Sequence, residues 1–125
     1  MAKLFRIIVP VSDIEQATTF YFKIFGVQGR RVSPGRHYFE LDGCTLGCYD
    51  PLSDGDTLGK GWMHHENQHI YFAVKNLDAT FIRVKNIADA ELDSEIINES
   101  SGERLFYARD PFGNPLCFVD EKTTS

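Results

Sequence analysis

The sequence predicts an α+β fold of two βαβββ repeats, forming curved mixed sheets around a concave cleft. Three observations lead there. An apolar, β-branched run is twice followed by a capped helical pattern. The two halves match segment for segment in the same order. A polar, glycine-rich stretch separates them.

In the first half, residues 5–11 form an apolar strand-like run. Ser12 and Glu15 then stand at capping-box spacing. Ala17, Phe20, Tyr21, Ile24 and Phe25 recur at helical spacing, and Gly26 supplies a natural stop. Strands follow over 28–32, 36–41 and 44–49, punctuated by Pro34-Gly35 and by Asp42-Gly43, a strong hairpin signal. Residues 51–67, with Gly55, Gly59 and Gly61, read as a loop. The order then restarts: a strand over 68–74, a helix opened by Asn76-Leu77-Asp78 and running to 89, and strands over 94–99, 104–109 and 115–119. Ser100-Ser101-Gly102 and Asp110-Pro111-Phe112-Gly113-Asn114 make the intervening turns.

Residues 5–14 lie over 68–77 without a gap, and Asp42-Gly43 with 45–48 sits where Asp110…Gly113 with 115–118 sits. Repetition at this scale is an organising feature. The expected organisation is one domain over 1–125, with units at about 1–50 and 68–121 joined by the loop 51–67. One helix cannot cover both faces of a four-stranded sheet, so the second face must meet another sheet, of this chain or of a partner. Both arrangements use the same strands.

Composition narrows the function. The 125 residues carry a net charge of −5 with acidic and basic groups interspersed, so no basic face for nucleic acid is expected. The apolar stretches are too short to span a bilayer, which argues against a membrane role. The first residues run straight into a strand-like segment without a signal-peptide pattern. Cys44, Cys48 and Cys117 are odd in number and lack CxxC spacing, which fits a reducing cytoplasm. Ten Phe, five Tyr and one Trp either fill the core or line a pocket.

Three segments carry a family resemblance: Val11-Ser12-Asp13-Ile14-Glu15 with Phe20-Tyr21 and Phe25-Gly26, then 69–77, then 106–115 with its Asp-Pro-x-Gly-Asn turn. They resemble the vicinal oxygen chelate superfamily, which includes glyoxalase I, extradiol dioxygenases, and the fosfomycin and bleomycin resistance proteins. Metal-dependent members carry a ligand on the first and fourth strands of each unit. The resemblance places those positions on Arg6, Gly47, His69 and Cys117. Only His69 is a family-type ligand. Arg6 is a permanent cation with no lone pair to give, and Gly47 has no side chain. Cys117 is a soft donor where hard ones are usual. The resemblance therefore implies no metal, no other cofactor, and a homodimeric small-molecule binder like the bleomycin-resistance branch. The alternative is a glyoxalase-like lyase or dioxygenase with an altered metal site, and whether the protein is an enzyme stays open.

Strand alternation, set on those positions, sorts the side chains. Phe5, Ile7, Val9, Leu46, Ile70, Phe72, Val74, Leu116 and Phe118 fall under the helices. Arg6, Ile8, Thr45, Gly47, Tyr49, His69, Tyr71, Cys117 and Val119 fall on the concave side. Of these, Arg6, Thr45, Gly47, Tyr49, His69, Tyr71 and Cys117 are the candidate ligand contacts, with His69 the candidate proton donor or acceptor. Arg6 either anchors a carboxylate or phosphate or pairs internally with Glu40. Cys117 is either a thiolate nucleophile or a small core residue. His37 is expected at a surface or strand edge, and the adjacent His64 and His65 in solvent. Trp62 either closes over the cleft or a dimer seam, or packs on the surface.

Overall fold

The computed structural model describes residues 1–57 and 66–124. Trp62, His64 and His65, with Gly59 and Gly61, lie outside the described residues. Among the described residues the fold is α+β, with two α-helices and nine strands in two mixed sheets, neither closed. No helix among them is long and apolar enough to cross a membrane. The chain divides into two compact units, Met1–His64 and His65–Ser125.

The first unit runs β1 (Arg6–Pro10), α1 (Ile14–Phe25), β2 (Arg30–Ser33), β3 (Arg36–Leu41) and β4 (Cys44–Tyr49). Its sheet has the order β1-β4-β3-β2, with β1 parallel to β4 and the rest antiparallel. The helix starts one residue later than the capping-box spacing predicts. Asp13, not Ser12, accepts the Gln16 amide at 3.0 Å, which leaves Glu15 free to pair with Arg31 at 2.9 Å. Gly26 ends the helix in the left-handed region, its N–H bonded to the Phe22 carbonyl. The buried stripe Ile14, Ala17, Phe20, Tyr21 and Ile24 seats α1 on the sheet, where Tyr21 and Phe25 each lie 6.1 Å from the Phe39 ring. Each large side chain so buried contributes about 1.5–3 kcal/mol.

The second unit runs β5 (Ile70–Val74), α2 (Leu77–Lys85), β6 (Glu91–Leu92), β7 (Ile97–Asn98), β8 (Arg104–Arg109) and β9 (Pro115–Asp120). Its order is β5-β9-β8-β6, with β7 also on β8 and β5 parallel to β9. The units repeat down to the register: Ile7 opposes Leu46 as Ile70 opposes Leu116. Asn76 caps α2 through the Ala79 amide at 3.0 Å. The helix ends at Lys85 rather than near 89, because the chain tightens into i→i−3 bonds at Asn86 and Ile87 and tucks Ile87 into the core.

Of the strand expected over 94–99 only β7 forms, at 97–98, and β6 pairs with β8 ahead of it, at 91–92. At the break, Ser94 Oγ accepts the Tyr107 amide at 2.9 Å, and the Asp93 amide donates to the Tyr107 carbonyl at 3.0 Å. A hydroxyl thus takes the place of a ladder carbonyl. Phe72, Phe118 and Phe106 stack under α2, with Phe81 edge-on to Phe106. Phe5 departs from its expected place: it precedes β1, is 62% exposed, and lies beneath the Arg6 guanidinium.

Candidate functional site

In the first unit the Asp42-Gly43 turn fixes the register. Asp42 and Gly43 both have positive φ, so Leu41 opposes Cys44 across a two-residue hairpin. Counting back in twos, Glu40 opposes Thr45, Tyr38 opposes Gly47 and Arg36 opposes Tyr49. The parallel pairing adds Arg6 beside Thr45 and Ile8 beside Gly47, and Arg30 of β2 opposes Tyr38. Alternation puts all of these on the face turned away from α1.

That face gathers guanidinium groups over tyrosine rings. Arg6 lies 4.5 Å from the Tyr38 ring centroid and Arg30 5.9 Å from it, while Arg36 stacks on Tyr49 at 3.8 Å. Cations over aromatic faces are attracted by the ring quadrupole. Among the described residues no ion pair joins Arg6 to Glu40, so the internal pairing considered for Arg6 is replaced by stacking. Arg36 has a long contact to Asp54 at 3.8 Å, and the Tyr49 hydroxyl donates to Asp56. That hydrogen bond to a carboxylate raises the Tyr49 pKa above its ordinary value. A pocket of about 280 Å³ opens beside Tyr38, lined by Val27, Gly29, Arg30, Tyr38 and Glu40.

His37 is buried on the opposite face, not at a surface edge as expected. Arg31 Nε donates to its Nδ1 at 3.1 Å, and its Nε2 faces the Gln28 carbonyl at 2.7 Å. Because Arg31 only donates, Nδ1 is the acceptor and Nε2 carries the proton to Gln28. Gly29 follows in the left-handed region. A Cβ there would stand 2.8 Å from His37 Nε2 and 2.6 Å from the Tyr38 carbonyl oxygen, so this stretch of pocket wall requires glycine.

In the second unit Tyr71, Cys117 and Tyr107 form one row across the sheet, on the face turned away from α2. His69, just ahead of β5, packs its ring 5.1 Å from Tyr107 and 6.5 Å from Tyr71. Burial is the main cause that pushes the Tyr107 hydroxyl up, with Cys117, Tyr71 and Glu99 adding to it. Cys117 is fully buried beside Leu105 and Val119. Burial, then the charges of Glu103 and Glu99, push its pKa up to about 12. At neutral pH it is a neutral thiol, which is the core reading and not the nucleophile.

The family-type metal positions do not fit a metal. Arg6 is a cation with no lone pair to give, Cys117 is a soft donor where hard ones are usual, and at Gly47 a Cβ would meet Ile8 Cδ1 at 2.7 Å and Tyr38 Cε1 at 3.0 Å. Among the described residues no three His, Cys, Asp or Glu side chains converge in a metal-binding group.

A family model described as Glyoxalase/Bleomycin resistance protein/Dioxygenase superfamily matches residues 3–118. The chain belongs to this superfamily. No curated protein sequence matches it. Among solved structures it resembles a glyoxalase/bleomycin resistance protein from Albidiferax ferrireducens T118, with 21% identity and a TM-score of 0.71 over 92% of this chain and 95% of that one. It also resembles a glyoxalase-related enzyme from Fulvimarina pelagi, with 16% identity and a TM-score of 0.78 over 96% and 88%. A lactoylglutathione lyase from Agrobacterium tumefaciens gives 18% identity and a TM-score of 0.74 over 98% and 96%. At these identities the likeness is one of fold, and a glyoxalase-superfamily fold hosts many chemistries.

Of the residues singled out from sequence, Arg6, Thr45, Gly47 and Tyr49 share one face of the first sheet. His69, Tyr71 and Cys117 share one face of the second. The sequence reading missed Tyr38, Arg30, Arg36 and Tyr107. The first three were recoverable, since Asp42-Gly43 sets the register that lines them up.

Proposed function

We propose that this superfamily member binds a small organic molecule bearing a carboxylate or phosphate, without a metal or other cofactor, on the first sheet's face turned away from α1. The observation that carries this reading is the Arg6 guanidinium, stacked on Tyr38 and Phe5 with no carboxylate partner among the described residues. Stacking holds the fork in place while leaving its N–H groups to take two oxygens at once. Thr45 stands beside Arg6 in the parallel register, and the Tyr38 ring supplies an apolar wall. His69, Tyr71 and the buried Cys117 offer a second, more apolar face with a proton-exchanging imidazole. A homodimer in a reducing cytoplasm belongs to the same reading, and three free cysteines are compatible with it.

The test is a thermal-shift screen of small carboxylates and phosphates in EDTA, followed by calorimetry on each hit. Arg6→Ala is expected to weaken binding about 10- to 100-fold, the worth of a charge-assisted contact. Hits that need an added divalent ion, or that bind Arg6→Ala unchanged, sink the reading. The alternative, a lyase or dioxygenase with a rebuilt metal site, is favoured by His69, the one family-type ligand present. Under it, His69→Ala abolishes turnover while the fold persists.

A further inference from the structure

We infer that the pocket beside Tyr38 selects a zwitterionic ligand, a free α-amino acid, with its carboxylate on Arg30 and its ammonium on Glu40. This rests on the small-molecule reading above and narrows it to one chemical class.

Arg30 opposes Tyr38 across the β2–β3 pair, and Glu40 lies two residues along β3 on the same face. Diagonal neighbours of this kind are about 7–8 Å apart at the backbone, within reach of two long side chains. An Arg and a Glu so placed have every electrostatic reason to pair. Among the described residues they do not: the ion pairs there leave out both, and the Arg30 guanidinium turns instead toward the Tyr38 ring at 5.9 Å. The pocket is lined by both charges. A cation and an anion held apart across a small pocket complement a molecule with the opposite charges a short distance apart.

The rest of the lining agrees. Val27 and Tyr38 present apolar surface to a side chain, and Gly29 leaves the wall without one of its own. At about 280 Å³ the pocket falls at the small end of ligand sites, suited to a single metabolite. Glu40 also argues against a purely anionic occupant, since a second negative group placed beside it is repelled.

The probes are the standard free L-amino acids, titrated into the intact chain by calorimetry, then the N-acetyl and amide derivatives of the tightest binder. The free amino acid is expected to bind about tenfold or more tighter than either derivative. Glu40→Gln should remove the penalty for N-acetylation, and Arg30→Gln the penalty for amidation. Both side chains are exposed, so the variants should retain the wild-type circular dichroism. The inference is overturned if no amino acid binds below about 10 mM, or if the N-acetyl form binds as tightly as the free one. In the latter case an Arg6-dependent acid site still stands. If acids and amino acids alike fail, the small-molecule reading falls with it.

Discussion

The Tyr38 ring closes over Gly47, so that a Cβ at position 47 would stand 3.0 Å from Tyr38 Cε1 while Ile8 Cδ1 blocks it at 2.7 Å. A side chain at position 47 therefore has to displace the Ile8 methyl and press on the buried Tyr38 ring. Gly47→Ala is expected to cost about 1–3 kcal/mol through overpacking. Denaturant unfolding measures it, and a double-mutant cycle with Tyr38→Ala should recover part of the loss. A Gly47→Ala protein as stable as the wild type contradicts the packing described.

The three thiols should separate sharply. Cys44 is half-buried, while Cys48 and Cys117 are fully buried. At pH 8 a thiol reagent is expected to modify Cys44 promptly and the other two only on unfolding. Prompt labelling of Cys117 would contradict its burial.

The same thiol predicts an alkaline limb in stability. Its folded pKa, about 12, lies above the ordinary 9.0. The unfolded chain therefore ionises first. The contribution is intact below pH 9 and is lost as pH rises toward 12, at up to about 1.4 kcal/mol per pH unit. Cys117→Ala should flatten that slope in urea melts taken across the window, and an unchanged slope assigns the alkaline loss elsewhere.

Asp110 predicts a large loss. Its buried carboxylate accepts the Phe112 and Asn114 amides at 2.9 Å each and the Asn114 side-chain N–H at 2.7 Å. Asp110→Ala removes the acceptor of two buried Asn114 donors and of the part-buried Phe112 amide, and should cost about 3 kcal/mol. Asp110→Asn keeps part of the network and should fall between that and the wild type. Melting temperatures rank the three proteins, and equal values for both variants would remove the carboxylate's special role.

His37→Phe tests the link between β2 and β3. It keeps the ring against Phe39, 5.0 Å away, but deprives Arg31 Nε and the Gln28 carbonyl of their partner. A loss of about 1–3 kcal/mol is expected, with faster amide exchange at Gln28 and Gly29 on the pocket wall. Unaltered exchange there would mean the wall is held by other contacts.

The strands of the first unit were legible because Asp42-Gly43 and Pro34-Gly35 mark turns that leave little choice of pairing. The repeat was legible because residues 5–14 lie over 68–77 without a gap, which places Ile7 and Ile70 at equivalent register positions. Less visible was anything set by side chains far apart in sequence. The cap moved from Ser12 to Asp13, since adjacent residues with similar hydrogen-bonding groups compete on local geometry alone. The break between β6 and β7 depends on Ser94 reaching Tyr107, thirteen residues on. Of the candidate site, Arg6 and His69 stood out through the family positions. Tyr38 and Arg30 emerged only once the hairpin register was carried across three strands, and Glu40, weighed from sequence only as a partner for Arg6, lines the pocket beside them. The burial of Cys117 beside Leu105 and Val119 is a tertiary fact that alternation alone does not reveal.

The shared register of Ile7 with Leu46 and of Ile70 with Leu116 bears on how such a protein changes over time. Two halves with one hydrogen-bonding frame have the signature of an ancestral duplication. In each, the side chains beneath the helix build that unit's core, while part of the opposite face stays exposed, as at Arg30 and Tyr71. A substitution at Arg30 or Tyr107 can thus redraw one half's chemistry and leave its twin intact. On the binding reading proposed above, new ligand preferences are reached by single steps on one sheet while the other keeps its own register.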